Sequence, residues 1–122
     1  MQALLAMSKN RAIGFKGGLP WKNSGDLKFF KNFTNDKVIL FGRQTYKALP
    51  ILPDRTILCL TKSNKVSDSY YNYKTNTAFS YINFEDAVEF SKKRELIICG
   101  GAETYSLFMA HIDRIFVSMI PG

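Results

Sequence analysis

The chain has 122 residues, 46% hydrophobic and 22% charged, which is enough for one domain with its own core and too apolar for a disordered segment. Its 17 lysines and arginines outnumber 10 carboxylates, giving a net charge of +7 that suits anionic partners. The cations are scattered singly with no nucleic-acid-binding motif, no apolar run reaches membrane-span length, and His111 with two isolated cysteines offers no metal-site spacing or choice of catalytic histidine, so those classes are not expected.

Met1 to Met7 has neither a charged leader nor a long apolar stretch, so it reads as a first strand over Leu4 to Met7 and not as a signal peptide. Ser8-Lys9-Asn10 is a turn signal, and Ala12-Ile13 is a small apolar island before Gly14. From Gly14 a glycine-bearing loop runs through Gly17-Gly18 to Leu19-Pro20-Trp21. A helix then opens at Ser24, a good N-cap, with Asp26 in its first turn. Leu27, Phe30 and Phe33 recur at three-residue spacing, so one face of that helix, ending near Asn35-Asp36, is apolar. Asp26 has two readings: a carboxylate that suits the helix dipole, or an acid beside an aromatic face, desolvated enough to handle protons.

Val38 to Phe41 is a continuous apolar run of the length of a buried parallel strand, and it meets Gly42-Arg43-Gln44-Thr45 where a helix can begin. Leu49 to Arg55 is turn-rich, and Thr56 to Thr61 is a second buried strand that carries Cys59. Between Lys62 and Tyr81 the composition is polar, and only a short strand near Tyr71 to Lys74 can be placed. Asn83 reads as an N-cap with Asp86 three residues on, followed by Phe84, Ala87, Val88 and Phe90 at amphipathic spacing. Leu96 to Cys99 is another apolar strand, ended by Gly100-Gly101, and both cysteines read as buried reduced thiols. Ala102 to Ala110 is helical by period, with Tyr105, Phe108 and Met109 on one side. His111 falls in a surface turn before a last strand, Ile115 to Ile120.

Strands alternating with helices predict an α/β domain over residues 1–122, a mainly parallel sheet with helices on both faces. Ligands of such sheets gather at the carboxyl ends of the strands, where Gly42, Thr61 and Gly100 fall. Gly100-Gly101 opening a helix reads either as a tight strand-to-helix turn or as a place for close approach of a pyrophosphate. Lys62 likewise reads as a solvated loop lysine or as a phosphate ligand.

Leu19-Pro20-Trp21, then Asp26-Leu27 and Phe30-Lys31, resembles the mobile loop and acid-bearing helix of the dihydrofolate reductases. Gly42-Arg43-Gln44-Thr45, Leu52-Pro53-Asp54-Arg55, Thr61-Lys62 and Gly100-Gly101-Ala102 extend the resemblance in family order. It implies a three-layer dihydrofolate reductase-like fold lacking the usual C-terminal antiparallel strand pair. The strand Ile115 to Ile120 would then be an open edge, where an otherwise monomeric family member could self-associate. The activity implied is NADPH-dependent reduction of 7,8-dihydrofolate to tetrahydrofolate, by hydride transfer to C6 and protonation of N5, in one-carbon metabolism. Dihydrofolate and antifolate-like molecules are the partners implied, and the cytoplasm is the expected location. A pterin or pyrimidine reductase of the same fold and a non-catalytic, structural relative remain as alternatives.

Carried onto this chain, the resemblance implies catalytic roles for Asp26, Trp21 and Ser118, the last standing where the family usually has threonine. Leu4, Leu5, Leu27, Phe30, Lys31, Leu49, Leu52 and Arg55 would meet the substrate, Arg55 taking the carboxylate of its tail. Ala6, Ile13, Gly14 and Leu19 would lie at the nicotinamide side of the cofactor site. Gly42, Arg43, Gln44, Thr45, Thr61 and Lys62 would face the phosphates and adenosine, with Arg43 and Lys62 selecting the 2′-phosphate. Cys99, Gly100, Gly101, Ala102, Glu103, Thr104 and Tyr105 would complete the cofactor site, the Gly-Gly peptide being typically cis in the family. Glu103 stands where some members carry an arginine. No metal is implied.

Overall fold

A computed structural model describes residues 1–8, 31–47, 52–62 and 69–120, with the side chains of 6–8 and 118–120 excepted. Its strands are β1 (Gln2–Ser8), β2 (Val38–Phe41), β3 (Arg55–Leu60), β4 (Tyr70–Asn72), β5 (Thr77–Ile82), β6 (Leu96–Gly100) and β7 (Arg114–Ile120). The helices are α1 (Arg43–Lys47), α2 (Phe84–Lys93) and α3 (Ala102–Phe108), the last continued by a 3-10 turn, Met109–His111. Residues 31–33 are also helical and run into a turn before β2.

The sheet has the order β4-β5-β3-β2-β6-β1-β7, and every neighbouring pair is parallel except β4 with β5. The three central strands β3, β2 and β6 explain the apolar runs. All four residues of β2 and all five of β6 are buried, because helices or their continuations cover both faces. On one face Leu4, Ile39, Phe41, Leu52, Ile57, Ile97 and Cys99 pack together, with Phe33, Tyr46 and Phe116 against them. On the other, Ala3, Leu40, Leu58, Leu96 and Ile98 meet Ala87 of α2 and Tyr105 and Phe108 of α3. The expected three-layer arrangement is present. Asn83 is the N-cap that its spacing predicts, its Oδ1 accepting from the Asp86 amide at 2.8 Å.

Three expectations change. The polar stretch before Asn83 contains β5, which the sequence reading leaves out and which extends the parallel sheet beyond β3. Its pattern is weak locally; Thr77 is buried and its hydroxyl donates to the Leu52 carbonyl at 2.8 Å, a contact no local pattern reveals. The short strand expected at Tyr71 to Lys74 is β4, which starts one residue earlier and ends two earlier, and Asn72 Oδ1 receives the Lys74 and Thr75 amides in the turn that follows. The last helix ends at Phe108, so Met109, expected on its apolar side, is 53% exposed.

The amino ends of β2, β3 and β5 are aligned by an unusual device. Asp36, Asp54 and Asn76 all have φ near +60°, a conformation that Asp and Asn tolerate better than other side-chain-bearing residues. The Asp36 amide donates to the Asp54 carbonyl at 2.8 Å, and the Asp54 amide to the Thr75 carbonyl at 2.9 Å. Asn76 Nδ2 also donates to Asp54 Oδ1. Three neighbouring strands therefore start in step. At the far edge β7 pairs only with β1 among the described residues, and its Ile115 and Val117 are about half exposed.

Candidate active site

The carboxyl ends of β3, β2 and β6 stand side by side, so the turns beginning at Thr61, Gly42 and Gly100 are neighbours. From β2 the chain enters α1, whose Tyr46 packs on one face of the sheet. From β6 it enters α3, whose Tyr105 and Phe108 pack on the opposite face. Adjacent strands whose connections leave to opposite faces open a crevice between their ends, the usual ligand position in parallel α/β sheets.

The two glycine turns meet directly. The Gly42 amide donates to the Gly100 carbonyl at 2.7 Å, and the β2–β6 register skips at Cys99, so that Phe41 pairs with Gly100. Gly100 has φ +155° and is followed by a cis peptide to Gly101, as the resemblance implies. A side chain at Gly100 would be strained by that φ and would meet Thr45 Cγ2 at 3.3 Å. Thr45 and Thr104 are each 5% exposed, their hydroxyls turned into this junction, and neither has a hydrogen-bond partner among the described residues. Arg43, Gln44 and Lys62 are exposed at the ends of β2 and β3, as are Ala102 and Glu103 at the start of α3. Thr61 is half-buried, its amide donating to the Ile82 carbonyl at 2.8 Å. This end of the sheet thus combines side-chain-free backbone, hydroxyls and cations, a donor set that fits a phosphorylated dinucleotide.

Cys59 and Cys99 are buried and free, as expected. Burial pushes the Cys59 thiol up to about 11, with Arg43 and Lys47 nearby pulling weakly the other way. Cys99 is raised further by burial, and its Sγ contacts the Ile97 carbonyl at 3.7 Å. As pH rises, the unfolded chain loses the Cys59 proton first, near its ordinary 9.0, so stability present below that value declines between about pH 9 and 11. Melting at pH 8 and pH 10.5 checks this: the fall should be smaller in Cys59→Ala, and an equal fall would mean that the thiol contributes nothing.

The other end of β3 carries Arg55, roughly 20 Å from Thr61 at the usual rise per strand residue. Its side chain is 5% exposed and shares the sheet face of Ile57 and Leu52. Nε donates to the Pro53 carbonyl at 2.7 Å and Nη1 to Thr34 Oγ1 at 2.5 Å, while Nη2 has no partner among the described residues. Burial lowers the pKa of the guanidinium, opposed mainly by Asp54, yet an arginine remains charged at any ordinary pH. A buried cation with free donors is costly unless something anionic meets them. Thr34, which holds Arg55 in place, is absent from the residues that the sequence singles out. A buried arginine requires acceptors, but nothing local says that residue 34 supplies one.

On the same face the rings of Phe33 and Phe116 meet, tilted by 59° with 4.9 Å between centroids, and Leu4 is fully buried beside them. Leu5, expected with Leu4 on the substrate side, points to the opposite face. There it lines a separate cavity of about 200 Å³ with Ala3, Tyr105 and Ile112. Alternation along β1 makes this unavoidable, so the Leu5 side chain is removed from the set around Arg55. Tyr105 is also buried on that second face; its hydroxyl donates to the Leu4 carbonyl at 2.5 Å, which ties α3 to β1. Burial raises its pKa, so the phenol stays protonated. Lys31, two residues before Phe33, is half-buried, and Ala6 pairs with Ser118 in the β1–β7 register. Ile13, Gly14, Leu19, Trp21, Asp26, Leu27, Phe30 and Leu49 lie outside the described residues.

A mainly parallel sheet, with a switch-point crevice at its strand ends and a buried arginine on one face, defines an α/β protein with a candidate ligand crevice. The family model described as dihydrofolate reductase matches residues 1–122. The dihydrofolate reductase of Mycoplasma pneumoniae is 30% identical over 123 residues, covering 100% of this chain and 77% of that protein. Dihydrofolate reductase type 1 of Escherichia coli is 29% identical over 122 residues, covering 98% of this chain and 74% of that one. A structure of dihydrofolate reductase from Enterococcus faecalis complexed with NADP(H) and RAB-propyl superposes with TM-score 0.74. It is 28% identical, over 99% of this chain and 70% of that chain. The chain belongs to the dihydrofolate reductase family and has its fold, and members of that family are oxidoreductases.

Proposed function

We propose that this protein reduces 7,8-dihydrofolate to 5,6,7,8-tetrahydrofolate with NADPH. The observation that carries this reading beyond family membership is Arg55, held by Thr34 and Pro53 with Nη2 unpaired among the described residues. A planar fork so placed fits the tail carboxylate of a folate, with Leu4, Leu52 and Phe33 as apolar neighbours on the same face. Phe30 and Leu49 complete the walls of the pterin site in this reading.

NADPH, when bound, supplies the hydride that goes to C6. The residues of the chain bind, orient and exclude water. Arg43 and Lys62 hold the 2′-phosphate, while Gly42, Gly100 and Gly101 let phosphates approach the backbone and Thr45 offers its hydroxyl. Gln44, Thr61, Ala102 and Glu103 border the same crevice. Ala6, Ile13, Gly14, Leu19 and Cys99 belong to its nicotinamide side. Asp26, supported by the Ser118 hydroxyl, holds the pterin ring and favours protonation at N5 through a water guided by Trp21.

Titration of NADPH and NADH by quenching of Trp21 fluorescence tests the reading. Charge-assisted bonds to the extra phosphate should favour NADPH by about tenfold to a hundredfold. Equal affinities would sink the assignment of Arg43 and Lys62.

A further inference from the structure

The junction of the two glycine turns contains a reciprocal fit. A Cβ built on Gly42 would overlap Thr104 Oγ1, while its next neighbours, the Gly101 nitrogen and the Gly100 oxygen, stand at an ordinary 3.7 and 3.8 Å. From the other side Thr45 Oγ1 stands 3.2 Å from a Cβ built on Gly101 and 3.5 Å from one on Gly100. Each turn therefore supplies a threonine that fills the space the other turn's glycine leaves. Both threonines are 5% exposed and neither hydroxyl is hydrogen-bonded among the described residues; Thr104, which faces Gly42, acts at this junction by its shape. Thr104 lies in the first turn of α3 and is β-branched, with few rotamers open to it. It is a stiff stop beneath Gly42.

Gly42 is followed at once by Arg43, the first residue of α1. The height at which Thr104 holds Gly42 is thus the height at which the Arg43 guanidinium is presented. We propose that Thr104 is a positioning residue that acts through Gly42 on Arg43 and so sets the preference of the cofactor site for a 2′-phosphate. This rests on the function proposed above, since it assumes that Arg43 meets that phosphate.

The test uses the full chain and three variants, Gly42→Ala, Thr104→Ala and the double variant, each titrated with NADPH and with NADH. In Gly42→Ala the new methyl must push against Thr104, and the turn rises. NADPH affinity should fall about tenfold, a typical consequence of overpacking, with NADH affinity falling much less, so that the preference narrows. In the double variant the obstructing oxygen is gone and the remaining neighbours are at contact distance, so the preference should return to within about threefold of the wild type. Thr104→Ala alone removes the stop and should narrow the preference by a few-fold.

A purely structural role would lower both cofactor affinities together and leave their ratio alone. Thermal melting of each variant separates loss of fold from loss of preference. A wild type without preference for NADPH would remove the reading of Arg43 itself. A wild-type preference that survives Gly42→Ala, or that the double variant fails to restore, would overturn the role of Thr104.

Discussion

Replacing Arg55 by leucine is expected to weaken dihydrofolate binding by about a hundredfold or more, while NADPH affinity changes by less than about threefold. Removing one partner of a buried charged pair typically costs about 2–5 kcal/mol, which is roughly thirtyfold to several thousandfold in affinity. NADPH should be spared because the residues proposed to meet its phosphates lie at the opposite end of β3 from Arg55. Arg55→Lys should recover little. An ammonium keeps the charge but cannot donate to Pro53 and Thr34 while also presenting a fork to a carboxylate. A dihydropterin without the glutamate tail provides the decisive comparison. Wild type and Arg55→Leu should bind it alike, since the group that Arg55 meets is missing from both complexes. If Arg55→Leu weakened the truncated substrate as much as the whole one, the arginine would be serving the fold alone.

Asp26→Asn is expected to reduce turnover of dihydrofolate by about a hundredfold near pH 7.5, within the usual range for loss of a positioned proton-handling group. The loss should shrink as pH falls, because substrate already protonated at N5 depends less on the carboxylate. Steady-state turnover of both proteins from about pH 5 to 9 gives the two profiles. A loss that is small and uniform across that range would leave Asp26 as a carboxylate favoured only by the helix dipole, the other reading its position permits.

Much of the framework follows from local chemistry. Val38 to Phe41 and Leu96 to Cys99 are apolar without alternation, and each is a strand buried on both faces. Asn83 caps α2 because a short side chain three residues before Asp86 can reach its amide, a relation confined to one turn of chain. Gly42, Arg43, Thr61, Lys62 and Gly100-Gly101 could be assigned to strand ends, since a buried run followed by glycine or polar residues marks such an end. The order of the turns across the sheet was not readable in this way.

Tertiary structure decided what depends on residues far apart in the chain. β5 is a strand because β3 offers it a parallel edge and Leu52 an acceptor for Thr77, whereas its own polar and aromatic pattern specifies little. Thr34 reaches Arg55 across 21 residues, and the need of a buried guanidinium for acceptors does not say which acceptors will be near. The opposite exits of α1 and α3, which open the crevice between β2 and β6, are properties of topology. The fit of Thr104 beneath Gly42 arises only when those two turns are brought side by side. The sequence by itself determined which apolar runs form the central strands and which residues carry charge, hydroxyl or no side chain, because those are short-range properties. Which of them share a face and which hold one another in place was set by packing between strands distant in sequence.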